Sequence, residues 1–459
     1  MNFRRHAVAG ISFIVALGLG FLIAQEAVAD EAVRDTQQIL RNLGYDPGPI
    51  DGAWGSRTAS ALRAFSVDSG IEFNGTLTTD LYEIISVEYA DMLTNRRSLE
   101  AALSSLPVSL FPIENEACFG GGFRTNETPV YYETVDRNVH GTLRIGGFIQ
   151  SMGQALAAHI GDRSRNNHIY QTGGSDERFQ RFLSHLEQAA EENAFTRLYF
   201  TPGGGPNPAH WVSALMNNLS YLVNYADRVQ LWRDEDQREE IVSWGNRLYD
   251  TSHLVSGPGS GRAIESVRWP DTVGMQALGY VNWGLATGNL DALSEGIEDW
   301  FFLFELLESD GAMRTFLNGG QWQNVGGRAN NDFYYDNALG FMVMAAVSAR
   351  SAGIDLFQQI NEGANLHDAV RWRFQYVTDW ESLDRLTSEP VYDAYEGRRR
   401  YWQADSFGGN WGWTEAYIYA FSESDLASDL REQNALLLSR RPYVSVTMGP
   451  SSCLYGLNR

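Results

Sequence analysis

One short stretch of the 459-residue chain gathers residue types able to hold an anion and move protons: Arg328, Asn330, Asn331, Tyr334 and Tyr335. A guanidinium pairs with a carboxylate through two parallel N–H bonds and keeps its charge at any ordinary pH. Amides can share that anion, and a phenol held beside it can give or take a proton. A second string, Asn166-Asn167-His168-Ile169-Tyr170, joins amides to an imidazole, whose ordinary pKa suits proton transfer near neutrality. His210 follows Gly203-Gly204-Gly205-Pro206 and precedes Trp211, so it either faces a cleft or opens a helix. Each set also has a plain structural reading. Adjacent tyrosines on an apolar helix are ordinary core aromatics, and an Arg beside Asp332 is an ordinary ion pair. There is no HExxH, no His cluster at metal-ligand spacing, no phosphate-binding loop and no GxSxG, so neither a metal nor an organic cofactor is expected.

The elements that must position these residues are helices. From about residue 140 onward, apolar residues recur at three-four spacing in Trp211 to Asp227, Val273 to Thr287, Asp291 to Leu307 and Asn337 to Ala352, broken by Gly and Asn. Long alternating strand patterns do not occur. Helical hairpins in series over some 320 residues must close on themselves or stack to bury every apolar face, which predicts an α/α toroid or a solenoid. Gly-rich stretches at Gly203 to Pro208, Gly257 to Gly261, Asn318 to Gly327 and Phe407 to Asn410 read as loops, and loops gathered at one mouth of a ring form a cleft.

Charge narrows what such a cleft could hold. The formal net charge is −22, all 35 cationic residues are Arg, and Lys is absent. An acidic surface repels nucleic acid and anionic membranes, so a polyanionic partner has to be bound by a local Arg cluster inside a cleft. The 13 Trp, 21 Tyr and 23 Phe suit stacking on sugar rings, and equally suit plain core packing.

The amino terminus reads as an export signal. Arg4, Arg5 and His6 precede an apolar run from Ala7 to Ala24, and Ala27-Val28-Ala29 is a small-x-small cleavage triplet, so residues 1–29 are expected to be removed. A periplasmic location follows, with an uncleaved membrane anchor as the alternative. Cys118 and Cys453 are the two cysteines; an even pair in an oxidising compartment favours a disulfide tying the start of the large domain to its end.

After the signal, Thr36 to Leu43 has helical periodicity, and GYDPGPIDGAWGSRTASALRAF, Gly44 to Phe65, packs turn formers ahead of a second helix with Ala61, Leu62 and Phe65 on its apolar face. Gly75-Thr76-Leu77-Thr78 opens a third. This stretch resembles the three-helix peptidoglycan-binding domain, with Tyr45, Asp51, Gly52, Gly55, Thr58 and Phe65 in its constrained places. The resemblance implies peptidoglycan as a partner, with Trp54 and Tyr45 as contact residues, although Trp54 could instead cap a very small core. The domain is expected over residues 30–90, followed by a helical connector, 91–115, that ends near Pro107 and Pro112.

Residues 116–459 form the large domain, and part of it resembles the alginate lyases. Asp310-Gly311, Arg328, Tyr334 or Tyr335, Ala338-Leu339, Ala345-Ala346 and Gly353-Ile354-Asp355-Leu356 occur in that family's order, with Ala286-Thr287-Gly288-Asn289 before them and Trp413-Thr414-Glu415-Ala416-Tyr417 after. The resemblance implies an all-α protein whose large domain is an α/α toroid, and a lyase that breaks an acidic polysaccharide by β-elimination without a cofactor. Arg328, with Asn330 or Asn331, would hold the uronate carboxylate, and Tyr334 or Tyr335 would supply the acid for the leaving oxygen and could also be the base. The family's Asn-Asn-His signature is expected where this chain reads Trp269-Pro270-Asp271-Thr272, which leaves Trp269 and His210 as substrate contacts. If Asn166-Asn167-His168 serves instead, Asn167 assists the carboxylate and His168 takes the proton, although the string stands 160 residues ahead of Arg328. Two other functions fit the same scaffold: a non-catalytic glycan-binding protein, and a glycoside hydrolase using paired carboxylates among Asp271, Asp332, Asp336 and Asp405.

Overall fold

The computed structural model describes residues 32–43, 45–107, 110–111, ten residues between 145 and 160, 174–196, 208–256, 270–313, 330–378, 411–437, 448 and 454–455. Among them no β-strand occurs, and no helix is long and apolar enough to cross a membrane. Two compact units result, Met1–Leu93 with Gln358–Gly363, and Thr94–Phe357 with Ala364–Arg459.

The first unit is built from α1 (residues 32–42), α2 (Ser56–Asp68) and α3 (Thr79–Thr94). Ile39 and Leu40 of α1, Leu62 and Phe65 of α2, and Leu81, Ile85 and Tyr89 of α3 are buried, each set at the spacing that puts side chains on one helix face. A single side chain organises the turn between α1 and α2. Buried Gln37 donates from Nε2 to the Ala53 carbonyl and the Thr58 hydroxyl, both at 3.0 Å, and accepts at Oε1 from the amides of Asp51 and Gly52 at 3.1 and 3.0 Å. Thr58 passes its own proton to the Pro47 carbonyl at 3.1 Å. Gly48 and Gly52 have φ of +89° and +76°, a left-handed backbone that a Cβ would strain. These glycines are therefore scaffold, as the sequence pattern implies.

In the second unit the helices are α4 (Arg96–Ser104), α5 (Gly174–Glu191), α6 (Pro208–Val229), α7 (Glu235–Ser256), α8 (Pro270–Thr287), α9 (Leu290–Phe304), α10 (Asn330–Ser351), α11 (Leu366–Thr378), α12 (Trp413–Ala420) and α13 (Asp425–Leu437). They form two layers. Helix α8 packs against α6, α9 and α10, and α10 against α12, while α7 lies on α5 and α6. Helices α6, α8 and α10 are buried on every side along almost all of their described length, as befits helices apolar all round. Alternating inner and outer helices of this kind make an α/α toroid, the fold class expected from the sequence.

Glycines set how closely the layers approach. A Cβ on Gly279 of α8 would run into the Ser213 carbonyl of α6, and one on Gly296 of α9 would stand 2.6 Å from the Val281 amide. Within the stretch expected as a connector, α4 buries Leu99, packs on α9 and places Arg96 2.7 Å from Asp291.

Candidate functional site

The inner helices all run the same way. Tyr280 bonds to Ser213, and two residues further along α8 Asn282 donates to Asn217 at 2.7 Å and to Tyr221 at 3.2 Å, so α6 and α8 are parallel. Gly274 lies against Phe341, while Asn282 reaches the level of Ser348 through Tyr221 and Tyr455, so α10 follows the same direction. Gly340 meets Trp413, and Arg350 donates to the Ala420 carbonyl at 3.0 Å, which orients α12 likewise. Short connections at Gln230–Asp234 and Gly288–Asn289 turn the chain back through the outer helices.

The consequence is a rim at which α6, α8, α10 and α12 all begin. His210 stands on the first turn of α6, Trp269 immediately precedes Pro270 at the start of α8, and Asn330, Asn331 and Tyr334 lie on the first turns of α10. Parallel inner helices thus bring to one end of the ring residues separated by some 120 positions in sequence. Each helix N-terminus carries unsatisfied amides and about half a positive charge. Four of them at one end favour an anion, although the chain as a whole is strongly acidic. Among the described residues no group of His, Cys, Asp and Glu could hold a metal ion.

Tyr335 belongs to the core. It is fully buried, its ring stacked 5.6 Å from Trp372, and the Arg373 guanidinium lies 5.0 Å from the same ring. Burial raises the Tyr335 hydroxyl pKa well above its ordinary value, only partly offset by Arg373 and by a hydrogen bond with the Met313 backbone. A phenol so held keeps its proton and serves the core.

Beside it, Arg373 of α11 donates from Nε and Nη2 to the two oxygens of Asp336 at 2.8 and 2.9 Å, with both side chains 0% exposed. Tyr376 flanks the guanidinium at 5.1 Å. The fork pins the second turn of α10 to α11, directly behind Asn330, Asn331 and Tyr334. It also withdraws Asp336 from the carboxylates that a hydrolase could use. The sequence reading missed Arg373; its signal is an Arg at three-four spacing from Ala369, Val370, Tyr376 and Val377, on an otherwise apolar helix face.

Two further polar clusters were not anticipated. Asn217, Tyr221 and Asn282 form a buried hydrogen-bonded cluster across α6 and α8, with Ser348 and Tyr455 beside it, and it fixes the register of those two helices because polar groups buried there are costly to leave unpaired. His159 is buried with Nδ1 2.8 Å from the Tyr225 hydroxyl and Nε2 3.0 Å from Asp176, against the ring of Phe179. Both ring nitrogens are engaged, so this imidazole is a structural bridge from the 145–160 segment to α5 and α6.

In the first unit Tyr45 packs edge-on against Phe65 at 5.8 Å and donates to Asp68 at 3.0 Å, which makes it part of the small core's rim. Trp54 is 40% exposed. Asn167, His168, Trp269, Arg328, Cys118, Cys453, Asp405 and the signal segment lie outside the described residues, as do the side chains of His210, Asp271, Asn330, Asn331, Asp332 and Tyr334.

A small helical module and an α/α toroid with its inner helix N-termini at one rim define a two-unit chain that is all-helical among the described residues. Residues 29–85 match the family model described as "Putative peptidoglycan binding domain". The chain is similar in structure to alginate lyase A1-III in a histidine-to-alanine variant complexed with tetrasaccharide, at 16% identity and a TM-score of 0.50, over 80% of this chain and 96% of that one. The crystal structure of alginate lyase A1-III from Sphingomonas species A1 aligns at 16% identity and a TM-score of 0.47, over 81% of this chain and 97% of that one. At such identity the likeness is one of fold. No curated protein matches the chain.

Proposed function

We propose that the second unit is a polysaccharide lyase that cleaves an acidic, uronic-acid polysaccharide by β-elimination, with alginate among the candidate substrates, and that the first unit holds it to peptidoglycan. Export by residues 1–29 would place it in the periplasm. What supports this reading is the common rim, where the first turns of the inner helices carry the backbone positions of His210, Asn330, Asn331 and Tyr334, while Arg328 and Trp269 adjoin those helices in sequence.

The chemistry needs the C5 proton removed, negative charge at the carboxylate stabilised, and the C4–O4 bond broken with a proton delivered to the departing oxygen. Arg328 with Asn330 or Asn331 takes the carboxylate. Tyr334 is assigned the acid, because Tyr335 is committed to the Trp372–Arg373 stack. Tyr334 or His168, the latter with Asn167, takes the C5 proton.

Exported protein without its first 29 residues, incubated with a panel of uronans, should generate an unsaturated product seen by ultraviolet absorbance. No absorbing product from any of them would refute the lyase assignment. One observation favours a non-catalytic glycan-binding protein: Trp269-Pro270-Asp271-Thr272 stands at the start of α8, where the family's Asn-Asn-His is expected. Binding of a uronan without turnover would select that reading.

A further inference from the structure

Trp54 sits in a turn whose rigidity exceeds what its own packing explains. Gln37 spends its whole side-chain amide on the residues just before Trp54, at Asp51, Gly52 and Ala53, and on Thr58 just after it. Asp51 adds a bond from Oδ1 to the Ala53 amide at 2.9 Å. On the far side the Arg57–Asp46 ion pair, at 2.5 Å, ties the start of α2 to the beginning of the turn. Yet the tryptophan these contacts position is 40% exposed, while the small core is filled by Leu40, Leu62, Phe65 and Ile85 without it. Next to it, a Cβ on Gly55 would meet nothing within 4 Å, so the neighbouring backbone position is open as well. An exposed indole on a fixed backbone is a preorganised binding surface, since little order remains to be lost when a ligand docks.

The ligand's chemistry follows from shape and charge. A flat indole matches the apolar C–H face of a pyranose ring. Residues 32–93 carry nine acidic side chains against four Arg, and Arg57 is already paired with Asp46. Such a surface repels the carboxylates of a wall peptide and is indifferent to an uncharged N-acetylated sugar. We propose that Trp54 is a stacking platform for an N-acetylhexosamine ring, so that the module grips the glycan strand of the wall and not its peptide. The inference rests on the wall-binding reading of the first unit and makes it specific.

The test uses the full exported chain labelled with 5-fluorotryptophan, purified sacculi, a soluble β-1,4-linked N-acetylglucosamine tetrasaccharide, and a free stem peptide. Trp54 is exposed, so Trp54→Ala should leave the fold intact and identify the Trp54 fluorine resonance by its loss. The tetrasaccharide should shift that resonance and displace the protein from sacculi, whereas the peptide should do neither. Trp54→Ala should bind sacculi about tenfold or more weakly, and Trp54→Phe should restore most of the loss. Displacement by peptide alone, or unchanged binding by Trp54→Ala, overturns the platform and leaves the wall-binding reading standing. No binding to sacculi by the unsubstituted chain would overturn the wall-binding reading, and an unmoved Trp54 resonance with the sugar would overturn the platform separately.

Discussion

Removing one partner of the Asp336–Arg373 pair should show whether the candidate rim is held from behind. Arg373→Met keeps the length of the side chain and its contacts with Tyr335 and Tyr376 but leaves Asp336 at 0% exposure without its guanidinium. Breaking a buried pair in this way costs about 3–5 kcal/mol, because a carboxylate stays desolvated without the guanidinium that neutralised it. Unfolding entropy near 2.1 cal/mol/K per residue, over a unit of roughly 360 residues, gives about 0.75 kcal/mol per degree, so Tm should fall by about 4–7 °C. Calorimetry on the exported chain measures this directly.

The double variant Asp336→Leu/Arg373→Met replaces both charges by apolar groups and should recover most of the lost stability, since it strands neither. Uronan turnover should follow a different order. The double variant should regain Tm yet keep a lowered kcat, because the two-point fork that fixes α10 against α11 is gone. A single variant that loses less than about 1 kcal/mol, or a double variant no more stable than the single, would refute the argument that desolvated charge governs this site.

Three further outcomes follow from the same geometry. Tyr334→Phe should abolish the unsaturated product with Tm nearly unchanged, whereas Tyr335→Phe should keep kcat within a few-fold and cost about 1 kcal/mol for its buried hydroxyl; the opposite pattern would exchange their roles. His367 bonds Tyr417 at 2.7 Å, and burial, with Arg371 and Arg350, pushes its pKa down to about 3. The unfolded chain therefore binds this proton first, so stability present above pH 6.5 is lost as pH falls toward 3, by at most about 1.4 kcal/mol per unit since the ring keeps some exposure. His367→Gln should flatten that limb of the calorimetric pH profile, and an unchanged slope would exclude His367 as its source. Finally, Phe111 packs 4.7 Å from Tyr221 and Tyr455 lies beside the same tyrosine, so described residues close in sequence to Cys118 and Cys453 meet at one point in the ring. Peptide mapping without reductant should recover a Cys118–Cys453 cross-link worth about 2–5 kcal/mol, and two free thiols in the oxidised protein would exclude it.

What the sequence disclosed were features that repeat at short range. The three-four spacing of Val273 to Thr287 and of Asp291 to Leu307 locates α8 and α9 to within a few residues, and the turn chemistry of Pro47 to Gly55 locates the first unit's loop. It could not distinguish Tyr334 from Tyr335. Both sit on an apolar helix, and what commits Tyr335 to the core is Trp372 and Arg373, 37 or 38 positions away from it. Asn217 and Asn282 look like breaks in an apolar pattern when read along one helix. Across two helices they are a hydrogen bond.

The start of α8 shows why fold and chemistry separate in such a chain. Along the helix, Gly279 and Gly284 are fixed by Ser213 and Leu293, whose backbone or side-chain atoms leave no room for a Cβ, so packing dictates residue type turn after turn. At its first residue, by contrast, Pro270 needs no amide partner and accepts whatever the rim requires. A family can therefore keep the ring and exchange the reactive residue at its mouth. Under the lyase proposal, with Trp269-Pro270-Asp271-Thr272 at that mouth, the C5 proton falls to Tyr334 or to His168 with Asn167.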